Sequence, residues 1–307
     1  MTHGNSLMNK LSVRGAIVFA LAGILVTMGF FGVSQYANAA SSSPASVKGG
    51  VGTQHAIEHP GIRGKGFIWT NQAAFGNAYL TKLDYQGNII IQFVPDGGIT
   101  GNGRGVAVDS RDGNLWYTDT QTFNGDGVIH KVSQSGGSDL MTIPDPGGVG
   151  GSGIGAIDFF EGHLWAVSYL ADGNGEHTVY KLNPNNGKVL ASCTIEDDGS
   201  EGDDSLAVIG HTRDGSARFL TDSGEFFNPV LTSYFLPTTN NAGECVADNT
   251  YNLPFGATGI DTRGPNLYAS DLSSVFKIGH SPYNGLHGSI LTTGNTEDIS
   301  VMSPQDD

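Results

Sequence analysis

The 307-residue chain carries 30 acidic against 15 basic residues, a formal net charge of −15, with 46 glycines and two cysteines. A balance this acidic disfavours nucleic acid and anionic membrane surfaces by simple repulsion, and leaves divalent cations and neutral or cationic ligands as compatible partners. Glycine at this level, with no three-residue period and with alternating apolar runs between, indicates many tight turns rather than collagen or disorder.

The chain opens with Lys10 and Arg14, then the apolar run Gly15–Val33, then a polar Ser/Ala stretch containing Ala37-Asn38-Ala39. A basic flank, an apolar run and a small-x-small exit make up a secretory signal peptide, so cleavage after Ala39 is expected. An uncleaved membrane anchor is the rival reading, because the run is long enough to span a bilayer. Cleavage would remove two cations and no acid, and would place the protein outside the cytoplasm, extracellular or periplasmic. Residues 40–65 read as an N-terminal linker and residues 66–307 as one folded domain. Cys193 and Cys245 could bridge in that compartment, but spacing alone does not decide it.

From residue 66 the sequence repeats. The strings "GFIWTN", "NLWYTD", "HLWAVS", "ARFLTD" and "NLYASD" end at Asn71, Asp119, Ser168, Asp222 and Asp271, in steps of 48, 49, 54 and 49 residues. Each is followed by a second string, and in four copies this carries a lysine: Lys82, Lys131, Lys181 and Lys277. A Gly/Ala/Val-rich string precedes the aromatic one in four copies, with Asp109, Asp158 and Asp261 each seven residues before Trp116, Trp165 and Tyr268. A fourth short β-branched string completes each unit. All are bounded by Gly, Asn, Asp or Pro, the punctuation of strands and turns, and no helical period is sustained.

Four antiparallel strands recurring about every 50 residues predict an all-β protein, a β-propeller of four-stranded blades. The narrow strand (a) lines the axis and the aromatic strand (b) fills the wedge between blades. The first unit lacks a strand a, and "EDISVMS" (Glu297–Ser303) is a strand a with nothing after it. The C-terminal strand is therefore expected to complete the first blade and close the ring, which removes an open edge. Five blades fit the count best; six is the alternative, should residues 40–60 contribute one.

The composite "GVAVDSRDGNLWYTDT…GVIHKVSQSGG" resembles the units of NHL, YWTD and streptogramin-lyase-like propellers, the SMP-30-like group, over about residues 66–303. The resemblance implies a propeller and leaves activity open, since that scaffold hosts lyases, lactonases and binding modules alike. The magnesium-dependent His/Glu site of the lyase has no match at the ends of strand b, which carry Asn71, Asp119, Ser168, Asp222 and Asp271. Their recurrence suggests a structural task, such as bonding the backbone of a neighbouring blade.

Candidate site residues follow from the fold. The d–a and b–c loops share one face, where propeller ligands usually sit. Residues 196–204 hold six carboxylates, and Glu297 and Asp298 stand at the corresponding entry to the last strand a. Glu201, Asp203, Asp204, Glu297 and Asp298 are candidate ligands for Ca²⁺ or Mg²⁺, hard cations that take several oxygen donors. The competing reading is a solvated acidic loop. Arg104 stands near the axis, where it could orient a ligand or pair with a carboxylate. Phe123, Asp126, Asp172, Glu176 and Phe226 lie in or beside the b–c loops, where aromatics beside polar groups could stack on a sugar or another flat ligand. The expectation is a secreted monomer that binds a small molecule, a glycan or a protein. The alternative is a metal-dependent, lactonase-like hydrolase or lyase acting at the central mouth.

Overall fold

The computed structural model describes residues 61–72, 79–96, 102–120, 127–147, 153–169, 176–196, 205–222, 230–237, 243–283 and 285–302. The leader and most of the linker therefore lie outside the described residues. Packing begins slightly before residue 66: Ile62 is buried against Tyr85 and Ile290, and its amide donates to the Tyr85 carbonyl at 2.7 Å.

The described residues form five four-stranded blades. Blade 2 is β4 (Asn102–Val108), β5 (Leu115–Thr120), β6 (Ile129–Val132) and β7 (Met141–Ile143). Blade 3 is β8 (Ile154–Phe160), β9 (His163–Ser168), β10 (Glu176–Leu182) and β11 (Val189–Glu196). Blade 4 is β12 (Ala207–His211), β13 (Ala217–Asp222), β14 (Val230–Leu236) and β15 (Val246–Asn252). Blade 5 is β16 (Gly259–Arg263), β17 (Asn266–Ser270), β18 (Leu272–Ile278) and the first part of β19 (Leu286–Met302). The remainder of β19 pairs antiparallel with β1 (Phe67–Gln72), with Phe67 opposite Met302 and Asn71 opposite Asp298. With β2 (Leu80–Asp84) and β3 (Ile89–Phe93) this makes blade 1. The last strand thus belongs to two blades, and the predicted closure is present. The innermost strands touch in a complete cycle: β19 to β4, β4 to β8, β8 to β12, β12 to β16, and β16 back to β19.

Convergence of the inner strands explains their small residues. A Cβ added at Gly259 would lie 2.5 Å from the Asp298 Cα, and one at Gly105 would lie 2.8 Å from the Ile157 amide nitrogen. Only a bare Cα lets neighbouring backbones approach this closely.

The repeated lysine is a cross-strand partner of the repeated aromatic. Lys82 stands opposite Trp69, Lys131 opposite Trp116, Lys181 opposite Trp165 and Lys277 opposite Tyr268. Each ammonium lies 5.1–5.9 Å from the ring it covers, while the ring itself is almost wholly buried. The lysine stem shields the ring's outer side and its charge meets the π face. Blade 4 lacks the lysine because Tyr234 stacks on Phe219 instead, centroids 5.7 Å apart.

The equal seven-residue Asp–aromatic spacing hides a difference. Asp158 and Asp261 are direct cross-strand partners of Trp165 and Tyr268, but Ala107 is the partner of Trp116. The β4–β5 turn is longer, so Asp109 falls beyond the strand. There it accepts from Lys131 Nζ at 2.6 Å, Arg111 Nη2 at 2.7 Å and Trp116 Nε1 at 3.2 Å. Burial raises its pKa, but the bonds from Arg111 and Lys131 outweigh burial and bring it to about 2. Lys131→Met should therefore cost about 2 kcal/mol, because a buried carboxylate loses one of its two cations. Lys181→Met, whose ammonium lies 5.5 Å from the centroid of the Trp165 ring, should cost under about 1 kcal/mol. Urea unfolding of the two variants checks the contrast.

Cys193 and Cys245 form a disulfide with Cα atoms 5.0 Å apart. It joins β11 to the segment entering β15, where Cys245 N also donates to the Thr194 carbonyl at 2.7 Å. The bridge left open by the sequence is thus a staple between the outer strands of blades 3 and 4.

Candidate functional site

The strongest polar constellation lies where the axis opens on the face shared by the d–a and b–c loops. It is built by β-bulges. On β4, Gly103 pairs with Asp119 and Val106 with Tyr117, so Arg104 and Gly105 together oppose the single residue Thr118. On β19, Asp298 pairs with Asn71 and Thr296 with Gln72, which leaves Glu297 as the extra residue. A bulge breaks the in–out alternation and re-aims one side chain. Here two adjacent inner strands each turn one charged residue toward the other.

Arg104 Nη1 donates to Glu297 Oε2 at 2.7 Å, and Nη2 donates to the Tyr169 hydroxyl at 2.9 Å. The guanidinium also lies 4.2 Å from the Tyr169 ring centroid. Three blades contribute: blade 1 through Glu297, blade 2 through Arg104 and blade 3 through Tyr169, just after β9. The Arg104 and Glu297 side chains are 6% and 10% exposed, so the pair is buried rather than a solvent-screened surface pair. A delocalised guanidinium held by a carboxylate on one edge and a tyrosine on another is orientationally fixed. Chemically the group is a buried, hydrogen-bonded cation stacked beside an aromatic ring.

Asp298 is committed differently from Glu297. Its Oδ2 accepts from Val106 N and its Oδ1 from Ile299 N, both at 2.8 Å. Burial pushes its carboxyl well above the usual range despite those two amides. The pairing reading of Arg104 is thus realised with Glu297, while Asp298 ties blade 1 to blade 2. Glu176 begins β10, half-buried, in a groove of about 560 Å³ with Thr178, Thr194 and Glu244, beside the disulfide and among outer strands. Phe123, Asp126, Asp172, Phe226, Glu201, Asp203 and Asp204 lie outside the described residues. No group of three or more His, Cys, Asp or Glu with metal-binding geometry occurs among the described residues.

The strand-b terminal residues divide in role. Asn71 reaches the neighbouring blade, donating from Nδ2 to the carbonyls of Gly105 and Thr118 at 3.0 and 3.2 Å. Asp271 instead accepts from the amides of Ser273 and Ser274 in its own loop. Strand a also bonds between blades, through Asp158, Asp261, Asp298 and Ser300.

No local sequence pattern marks Tyr169 as a member of the group or joins Arg104 to Glu297. The two are 193 positions apart and meet only because the last strand closes the ring.

No protein-family model matches the chain, and no curated protein matches it. Among solved structures, a glutaminyl cyclase of Myxococcus xanthus is 12% identical, over 74% of this chain and 86% of that one, with a TM-score of 0.41. The WD40 β-propeller domain of Doa1 is 13% identical, over 81% of this chain and 94% of that one, with a TM-score of 0.40. The WD40 domain of Neurospora crassa Pan2 is 10% identical, over 62% of this chain, with a TM-score of 0.38; the match spans 49% of the Pan2 chain, about half its length.

Proposed function

We propose that this protein is a secreted binding module, of the NHL- or SMP-30-like type, that takes a neutral polar ligand on its loop face with Arg104 at the centre. One observation carries the reading: adjacent bulges spend regular pairing to hold Arg104, Glu297 and Tyr169 together at the axial mouth. A pair serving stability alone would gain little there, since a buried ion pair is weak support for a fold. Guanidinium donors beside a tyrosine ring suit the hydroxyls and faces of a glycan. The acidic surface argues against polyanions. Glu201, Asp203 and Asp204, in the acidic stretch of sequence between β11 and β12, are the residues we propose for a Ca²⁺ or Mg²⁺ ion that assists binding.

The test is an array of neutral and amino-sugar oligosaccharides, read with and without Ca²⁺, using wild type and the charge-neutral double variant Arg104→Gln with Glu297→Gln. At least one oligosaccharide class should be retained by wild type and bound at least about tenfold more weakly by the variant, a loss of roughly 1.4 kcal/mol. Retention unchanged in the variant, or no retention by wild type, overturns the reading. Turnover of a lactone panel that depends on Ca²⁺ or Mg²⁺ would instead favour the lactonase-like alternative.

A further inference from the structure

The opposite end of the axis, where strands a turn into strands b, holds a half-open cavity of about 340 Å³ lined by Asp158, Asp261, Arg263, Ser110, Thr262 and Ser300 among others. Asp158 and Asp261 occupy the same register position in blades 3 and 5, opposite the wedge aromatics Trp165 and Tyr268. Each carboxylate reaches across a blade boundary. Asp158 Oδ2 accepts from Val208 N of blade 4 at 2.6 Å, and Asp261 Oδ2 accepts from Val301 N of blade 1 at 2.5 Å. Each also accepts, through Oδ1, from the amide of the residue that follows it. Blade 1 places Ser300 at the equivalent position, and its hydroxyl accepts from Val108 N at 3.2 Å. A neutral group can therefore make the inter-blade bond, so two blades carry an acid the fold does not need.

We propose that Asp158 and Asp261 form an acid-strengthened clasp in this axial cavity, so that the ring is more stable in mildly acidic than in neutral surroundings. Two half-buried carboxyls that line one half-open cavity ionise against their mutual repulsion. Burial pushes the Asp158 carboxyl up to about 6, and burial with the nearby Asp158 charge pushes Asp261 well above the usual range. Other charged and titratable groups among the described residues lie around the pair. Asp298 on β19 feels both carboxylates and adds to the repulsion. Arg263 at the end of β16 opposes it. The buried Tyr85 and Tyr268 hydroxyls interact with Asp261. Glu161 and His211, at the ends of β8 and β12, lie 3.6 Å apart. Asp109 and Arg111 form their own pair beyond the end of β4. A carboxyl whose folded pKa is raised contributes stability that is complete below its unfolded pKa and lost as pH rises through the folded value. The window is therefore from about pH 4 upward through 6. His163, whose pKa burial lowers, acts in the opposite direction.

Scanning calorimetry at pH 5.0 and 7.5 tests the clasp with wild type and the double variant Asp158→Ser with Asp261→Ser. Wild type should melt at least about 4 °C higher at pH 5.0, and the variant should lose more than half of that difference. A wild type that melts no higher at pH 5.0, or a variant with the full difference, overturns the proposal. His211→Gln should leave the difference in place; if it removes the difference, the clasp is not its source. Should the double variant fail to fold, carboxyl ¹³C shifts of wild type labelled at aspartate decide the matter. Resonances assigned to Asp158 and Asp261 that both titrate above about pH 5.5 support the clasp, and any other result refutes it.

Discussion

Deleting Glu297–Asp307 is expected to abolish the cooperative thermal transition of the domain. The deletion removes Ile299, Val301 and Met302, all buried, from the innermost strand of blade 1. At about 1.5–3 kcal/mol for each fully buried side chain, this alone is roughly 5–9 kcal/mol. It also strips the acceptors Asp298 and Ser300 from the amides of Val106 and Val108, and leaves Arg104 buried without Glu297. The whole stability of an ordinary domain is about 5–15 kcal/mol, so the remainder should not hold the ring. Circular dichroism and calorimetry would show a broad, low transition or none. A sharp transition within a few degrees of the intact protein would mean that the strand is dispensable.

The second large effect concerns the staple between blades 3 and 4. Replacing both Cys193 and Cys245 by alanine frees a loop closed by residues 52 apart in sequence. Chain entropy alone assigns such a bridge about 4 kcal/mol, within the usual 2–5 kcal/mol for native disulfides. In a domain of this size that is on the order of 10 °C in Tm. The backbone bonds between Thr194 and the Gly243–Cys245 segment persist in the variant, so the blades should stay in place while the ring weakens. Urea unfolding of the variant should show a lower midpoint and a somewhat steeper slope, because the unbridged unfolded chain exposes more surface. An unchanged midpoint would show that those backbone bonds and the surrounding core already fix this boundary.

The architecture was legible because each blade writes its interior into local sequence. The Lys–aromatic rung is one cross-strand pair repeated at a fixed offset, so Lys82, Lys131, Lys181 and Lys277 advertised four blades. Blade 4 was harder to read because Tyr234 does the work of the lysine by stacking on Phe219. The missing first strand a and the surplus last one together announced the closure now seen between β1 and β19. Spacing misled at Asp109, where a longer turn moved the residue out of the strand and into an ion-pair network.

The site was less legible for a physical reason. A bulge is a shift in register between two strands, and alternation within one strand does not reveal which residue will be extra. Glu297 was visible as one of several acids, and Arg104 as a lone cation near the axis. Their pairing depends on two bulges and on ring closure, each of which needs the assembled sheet. Asp158 and Asp261 looked like members of one repeat with Asp109. Only the register separates two inter-blade clasps from a turn residue.

The account depends most on β19 serving two blades at once, because closure both completes the fold and brings Glu297 to Arg104. Amide hydrogen exchange of the intact protein measures this directly. The amides of Asp298–Val301 should exchange with the slowest class, together with those of β5 and β9, at rates set by global unfolding. Rapid exchange across Asp298–Val301 while β5 and β9 stay protected would contradict closure and the mouth built upon it.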